Sequence, residues 1–131
     1  KVLSEYKDES IDSVFGSRFK MIKLNKIMKM GLHRYFANRF LTIISNLFFR
    51  QKITDMETAV KSFKTRYISL MDLKSNGFDI EPELVKEISK QGIKIKEVPI
   101  SYEPRSIKDG KKISFKDGLI TMKYLFRNFK G

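Results

Sequence analysis

Arg105, Lys108, Lys111 and Lys112 crowd the stretch ISYEPRSIKDGKKISFKDG, residues 100–118, where the loop offsets them only with Glu103 and Asp109. Such a run suits an anionic, phosphate-bearing partner; a solvated basic loop is the alternative reading. A second candidate is Arg18, at the end of Gly16-Ser17-Arg18. A guanidinium fixed at a strand end can fork two N–H groups onto phosphate, a geometry that lysine cannot match, or it can close a salt bridge within the fold. The chain has no cysteine and one histidine, His33. Thiol catalysis and Cys-ligated zinc are thereby excluded, and His33, with no second ligand nearby, reads as a packing or interfacial residue.

The charge is strongly polarised. Lys and Arg number 27 against 15 Asp and Glu, a formal charge of +12. Between Ser13 and Thr54 there is no acid at all, whereas Arg18, Lys20, Lys23, Lys26, Lys29, Arg34, Arg39, Arg50 and Lys52 all fall there. Nucleic acid, an anionic membrane surface or a phosphorylated small molecule would each answer that field. The longest apolar run, Leu41 to Phe49, is interrupted by Thr42, Ser45 and Asn46 and is far shorter than the ~20 residues a spanning helix needs.

The elements that must position these residues follow from pattern. With 131 residues, 41% of them hydrophobic, the chain suits one α/β domain over 1–131, able to bury a core without disulfide or metal. Residues 13–19 read as a short strand ending in a glycine turn that delivers Ser17 and Arg18. Lysines recurring every third residue from Lys20 to Gly31 drift around a helix, so this stretch reads as a mobile or interfacial segment. Residues 33–50 form the clearest helix, with Phe36, Ala37, Phe40, Leu41, Ile44, Leu47 and Phe48 following i, i+4, i+8 spacing and expected to face the core; together 20–50 make a basic, apolar interfacial region. The stretch after Thr54-Asp55 is open between helix and strand. Pro82 suits a first helical turn, with Leu84, Val85 and Ile88 on one face and Gly92 as C-cap. Lys94 to Tyr102 reads as a strand whose alternation changes parity at Glu97-Val98, as a bulge or two-sided burial would require. A basic amphipathic helix closes the chain from about Phe115 to Phe129.

Four motifs in this order and spacing, VFGSRF (14–19), ITDMETAVKSF (53–63), FDIEPELVKEISKQGIKIKEVPISY (78–102) and RSIKDGKKISFKDG (105–118), resemble the C-terminal half of a family 2 glycosyltransferase. Within that family the likeness is to the branch of dolichyl-phosphate mannosyltransferase and other polyprenyl-phosphate glycosyltransferases, and it covers nearly the whole chain. The resemblance implies the acceptor-side part of a GT-A-like nucleotide-sugar transferase fold, a mixed sheet flanked by helices. Family members begin with a nucleotide-binding half whose Asp-x-Asp motif holds a divalent metal, Mg or Mn. No D-x-D occurs here, so the expectation is a fragment, inactive alone, without that half and with no metal site of its own.

For site residues the resemblance implies that Arg18, beside Ser17, contacts the acceptor or product phosphate, and that Arg105 and Lys112, with Lys111 beside them, clamp the phosphates as leaving-group charge develops. Asp55 stands where the wider family keeps a catalytic carboxylate. It is a base if the acceptor is a sugar hydroxyl, and an orienting or capping residue if the acceptor is a lipid phosphate that is already anionic. Lys61 matches a usually basic position and could equally be a surface lysine. Glu81 is implied to line the acceptor side, though Glu81 and Glu83 also suit a helix N-terminus, where acids offset the dipole. The expected activity is an inverting transfer from a nucleotide-sugar donor to polyprenyl phosphate, peripherally bound to the cytoplasmic side of a membrane through the 20–50 region and the last helix. A glycan hydroxyl acceptor with Asp55 as base remains open. So does a noncatalytic basic module for RNA or membrane, favoured by the charge and by 11 Phe and 5 Tyr available for stacking. Oligomers are possible through strand edges left bare.

Overall fold

A three-stranded mixed sheet in the order β2-β1-β3 carries the molecule. The computed structural model describes residues 1–104 and 115–129, so Arg105, Lys111 and Lys112 lie outside the described residues. Strand β1 (Ser13–Ser17) is central and buried at all five positions. It pairs antiparallel with β2 (Lys61–Phe63) and parallel with β3 (Ile95–Pro99), Ser13 opposite Ile95 and Ser17 opposite Pro99. The carboxyl ends of β1 and β3 therefore coincide, and the residues leaving them, from Arg18 and from Ile100, emerge together.

Gly16 corrects one expectation: it sits inside β1 and not in a turn. A Cβ there would lie 2.6 Å from Ile100 Cγ2 and 3.0 Å from Val60, closer than side-chain atoms approach. The close passage of neighbouring chain on both sides of β1 is what requires glycine. The parity change in β3 is two-sided burial and not a bulge, because Ile95, Glu97 and Val98 are all buried while the pairing with β1 runs one-to-one.

The Lys20–Gly31 stretch is more ordered than its spacing suggested. Helix α1 (Leu24–Met30) forms there and is separated by Gly31 from α2 (Leu32–Phe49). The bounds expected for α2 were right to within a residue at each end, and its packing face was right in part: Leu41, Ile44 and Phe48 join the core, whereas Phe36, Phe40 and Leu47 do not. Leu41, Thr42 and Ser45 are buried, while Leu32, Phe36, Phe40, Ile43 and Leu47 form an apolar stripe exposed along the other side. Small polar side chains face inward because α2 holds an irregular chain segment by hydrogen bonds, as described below. The stretch left open between helix and strand is irregular from residue 51 to 60, then becomes β2 and a 3-10 turn, Thr65–Leu70.

Helix α3 (Ile80–Lys90) carries Pro82 in its first turn and buries Val85 and Ile88 completely. Its end is a Schellman motif. Gly92, at φ 72°, donates to Ser89 O and Ile93 donates to Ile88 O. Helix α4 (Phe115–Arg127) buries Thr121 and Leu125. Helices α2, α3 and α4 pack on one another and on the sheet around Phe15, Leu41, Met56, Val85, Ile88 and Leu125. Among the described residues no helix is long and apolar enough to cross a membrane.

Candidate functional site

Ile53 to Met56 make no strand or helix, yet they are largely buried, so their backbone groups need partners. Side chains supply them. Asn46 accepts from Ile53 N and donates to Ile53 O; Thr42 Oγ1 accepts from Met56 N; Arg39 Nη1 donates to Thr54 O at 2.6 Å. From β3, Glu97 Oε1 accepts from Thr54 N (2.8 Å) and Asp55 N (3.1 Å), and Glu97 Oε2 accepts from the Thr54 hydroxyl (2.9 Å). Two elements, α2 and β3, thus mould the loop that presents Asp55.

Hydroxyl geometry fixes the proton order. Thr54 has one hydroxyl proton and gives it to Glu97. In the 2.5 Å contact between the Ser17 and Thr54 hydroxyls, Ser17 is therefore the donor. The Ser17 oxygen in turn accepts from Phe19 N and Lys20 N. A directed chain runs from the turn after β1, through Ser17 and Thr54, to the buried Glu97 carboxylate.

That chain brings Arg18 and Asp55 face to face. Arg18 Nε donates to Asp55 Oδ2 and Nη2 to Oδ1, both at 2.7 Å, and Arg18 N also donates to Oδ2 at 3.0 Å. Asp55 is fully buried; the Arg18 side chain keeps 16% exposure. The guanidinium carbon lies 5.1 Å from the Phe19 ring centre and 5.4 Å from that of Tyr102. Burial opposes the charge on Arg18, but the hydrogen bonds and negative charge of Asp55 outweigh it and raise its pKa. Arg18 Nη1 has no acceptor among the described residues.

Lys61 and Glu81 form the other half of the site. The Lys61 ammonium bonds Glu81 Oε2 and Thr58 O, and lies 5.3 Å from the Phe15 ring centre. Its side chain is 6% exposed, so the surface-lysine reading is excluded; burial lowers its pKa against the pull of Glu81. Beside it stands Glu57. Burial first, then the charge of Glu81, push its carboxyl up to about 7, against the opposing pull of Lys61 and Arg18. Glu57 Oε1 is buried with no hydrogen-bond partner among the described residues.

Ser17, Arg18, Asp55, Lys61 and Glu81 are thus gathered at the carboxyl ends of β1 and β3 and along the neighbouring edge. Arg105, Lys111 and Lys112 lie outside the described residues, although the chain approaches them through Tyr102, over Arg18. Helix α1 secures that approach: Lys26 Nζ donates to Tyr102 O at 2.9 Å and pairs with Glu103. Sequence reasoning missed Glu57, Thr54 and Glu97. The parity break at Glu97, an acid at an inward position, was the one available signal; for Glu57 there was none. Among the described residues no three His, Cys, Asp or Glu side chains converge to hold a cation.

Comparison with known proteins adds direction. The chain is 28% identical over its whole length to 31% of the low-salt glycan biosynthesis hexosyltransferase Agl6 of Haloferax volcanii. Over 93% of its length it is 31% identical to 40% of the glycosyltransferase AglJ of the same organism. Three quarters of it (76%) is 30% identical to 41% of MJ1222 of Methanocaldococcus jannaschii, an uncharacterized protein. The chain therefore spans 31% to 41% of the length of these curated relatives. No family model matches it, and no solved structure is significantly similar. Similarity to two named glycosyltransferases supports glycosyl transfer in general, and the mixed α/β architecture is consistent with it.

Proposed function

We propose that this chain is the acceptor-side part of an inverting, GT-A-like family 2 glycosyltransferase that moves a sugar from a nucleotide-sugar donor to a polyprenyl phosphate at a membrane surface. The observation that carries the reading is Arg18. Two of its nitrogens are locked on buried Asp55, and the third, Nη1, meets no acceptor among the described residues, on a side chain that is still partly exposed. A guanidinium held this way is aimed before a phosphate arrives.

The chemistry suits such an acceptor. A lipid phosphate oxygen is already anionic, attacks the anomeric carbon in line and forms the new C–O bond. The bond from that carbon to the nucleoside diphosphate breaks, and its electron pair leaves with the diphosphate. No proton need be removed, which agrees with an Asp55 whose two oxygens are both occupied by Arg18. Asp55 then orients Arg18 and does not act as a base. Arg105, Lys111 and Lys112 are proposed to offset the charge of the leaving diphosphate. Among the described residues no three His, Cys, Asp or Glu side chains converge to hold a cation; in this reading a Mg or Mn ion would be held by the donor-binding part of the complete protein.

The exposed stripe of α2, with Leu24 and Met28 of α1 exposed beside lysines, suits peripheral contact with an anionic bilayer, each basic residue near the surface adding about 1 kcal/mol. A second reading keeps the fold and makes the acceptor a glycan hydroxyl. It is favoured by Glu57, whose carboxyl, pushed up to about 7, lies in the range of a general base.

The test uses the complete protein in membranes, with labelled nucleotide sugars, polyprenyl phosphate and Mg, and counts label extracted into organic solvent. Lipid label lost in Arg18→Lys and in Lys112→Ala supports the phosphate acceptor. Label on a soluble glycan, lost in Glu57→Gln, moves the protein to the hydroxyl reading. No transferred label on either overturns both.

A further inference from the structure

Glu97, on β3, is 8% exposed and forms no ion pair among the described residues. Its carboxylate takes two amides, Thr54 N and Asp55 N, and the Thr54 hydroxyl. A neutral side chain could accept from the two amides at a lower cost of desolvation. What a neutral amide cannot do is accept at both of its terminal atoms. The carboxylate can, and it is therefore the end point that fixes the proton order. Thr54 donates to it and Ser17 donates to Thr54, so both lone pairs of the Ser17 oxygen are left for Phe19 N and Lys20 N. Every hydrogen-bonding position of the Ser17 hydroxyl is filled, on a residue with no exposed surface.

Strand β3 holds the same turn from other directions. Lys20 Nζ donates to Glu97 O at 2.8 Å, which closes a ring from Ser17 through Thr54 and Glu97 back to the turn after β1. Three residues beyond Glu97, Ile100 N donates to Ser17 O at 3.1 Å, and Tyr102 lies over Arg18. Asp55 passes this order on. Its amide is held by Glu97, and its two oxygens take Arg18 Nε, Nη2 and N. Because the guanidinium fork is planar and rigid, the plane of the Asp55 carboxylate dictates the direction of Nη1.

We infer that Glu97 is a positioning residue for the phosphate contact of Arg18: through Thr54 and Asp55 it sets the direction in which Nη1 meets the acceptor phosphate. The inference rests on the phosphate reading of Arg18 given under the proposed function. In this role Glu97 touches no substrate and acts only through Arg18, so its effect vanishes once the Arg18 fork is gone.

A double-mutant cycle on the complete protein in detergent tests it, by calorimetric titration of farnesyl phosphate and, as the phosphate-free control, farnesol. The native protein is expected to bind farnesyl phosphate the more tightly. Glu97→Gln is expected to weaken that binding about tenfold and to leave farnesol unchanged. In the Arg18→Lys background the same substitution should change farnesyl phosphate binding by less than about twofold. Should Glu97→Gln not fold, Thr54→Val takes its place in the cycle. It removes the hydroxyl link while the carboxylate keeps its two amides, and a loss of about threefold is expected. Equal weakening with and without the Arg18 fork, or weakening of farnesol as well, makes the role one of stability and overturns the inference while the phosphate reading stands. Unchanged binding in a folded variant overturns the inference alone. No preference of the native protein for farnesyl phosphate over farnesol overturns both.

Discussion

Arg18 with Asp55, and Lys61 with Glu81 and Glu57, are neighbouring sets of buried charges built on opposite principles. In the first, one cation meets one anion, and three hydrogen bonds, two rings and a directed hydroxyl chain to Glu97 fix the pair. In the second, one buried cation faces two carboxyls, and a Glu57 oxygen has no hydrogen-bond partner among the described residues. The closed pair is suited to holding geometry. The open set is suited to exchanging a proton, because its charges balance only when Glu57 carries one.

Breaking the closed pair should have the largest effect. Asp55→Ala leaves the Arg18 charge buried and unpaired, and the expected loss is about 3–5 kcal/mol in urea unfolding. A loss below about 1 kcal/mol would mean that water already reaches the guanidinium.

The open set should show itself in pH dependence. Folded Glu57 keeps its proton up to about 7, whereas the unfolded chain releases it near its ordinary value of 4.5. Between those values the folded state binds more protons, so this group's contribution falls as pH rises and stays lost above 7, a change on the order of 3 kcal/mol. Glu57→Gln should flatten that part of the stability profile. An unchanged slope would show that another group titrates there.

Glu97→Gln sharpens the contrast by changing one atom type. The new amide donates where Thr54 now donates, so the Thr54 hydroxyl must turn toward Ser17, whose own proton loses its acceptor. The expected cost is about 1–3 kcal/mol, and Ser17→Ala in that background should cost less than in the native chain. Equal costs would refute the proton order. Smallest is Phe40→Ser on the exposed stripe, expected to shift stability by no more than about 0.5 kcal/mol while lowering partition onto anionic vesicles.

How far the sequence could be read depended on the range of the interactions. Helices α2 and α3, the Gly92 cap and strand β1 rest on local periodicity and turn chemistry, and these were legible. The inward face of α2 was legible only in part, through Leu41, Ile44 and Phe48. Apolar residues occupy more than one side of that helix, and Thr42 and Asn46 turn inward only because the loop at 53–56 needs their hydrogen bonds. Arg18 and Asp55 each stood out, but nothing local pairs residues 37 positions apart. Glu57 and Glu97 look like surface acids until donors or charges from distant segments converge on them.

The parallel pairing of β1 with β3 has a consequence for how the molecule assembles. Ser17 and Arg18 enter the growing chain before Glu97, which orders their connection to Asp55 and is made 79 residues after Arg18. At the usual pace of synthesis of about 5–20 residues per second, that interval is roughly 4–16 s. During it Arg18 and Asp55 can meet, but the loop between Ile53 and Met56 lacks the carboxylate that organises its amides. Site formation should therefore belong to the late, slow, long-range phase of folding, after α2 has formed.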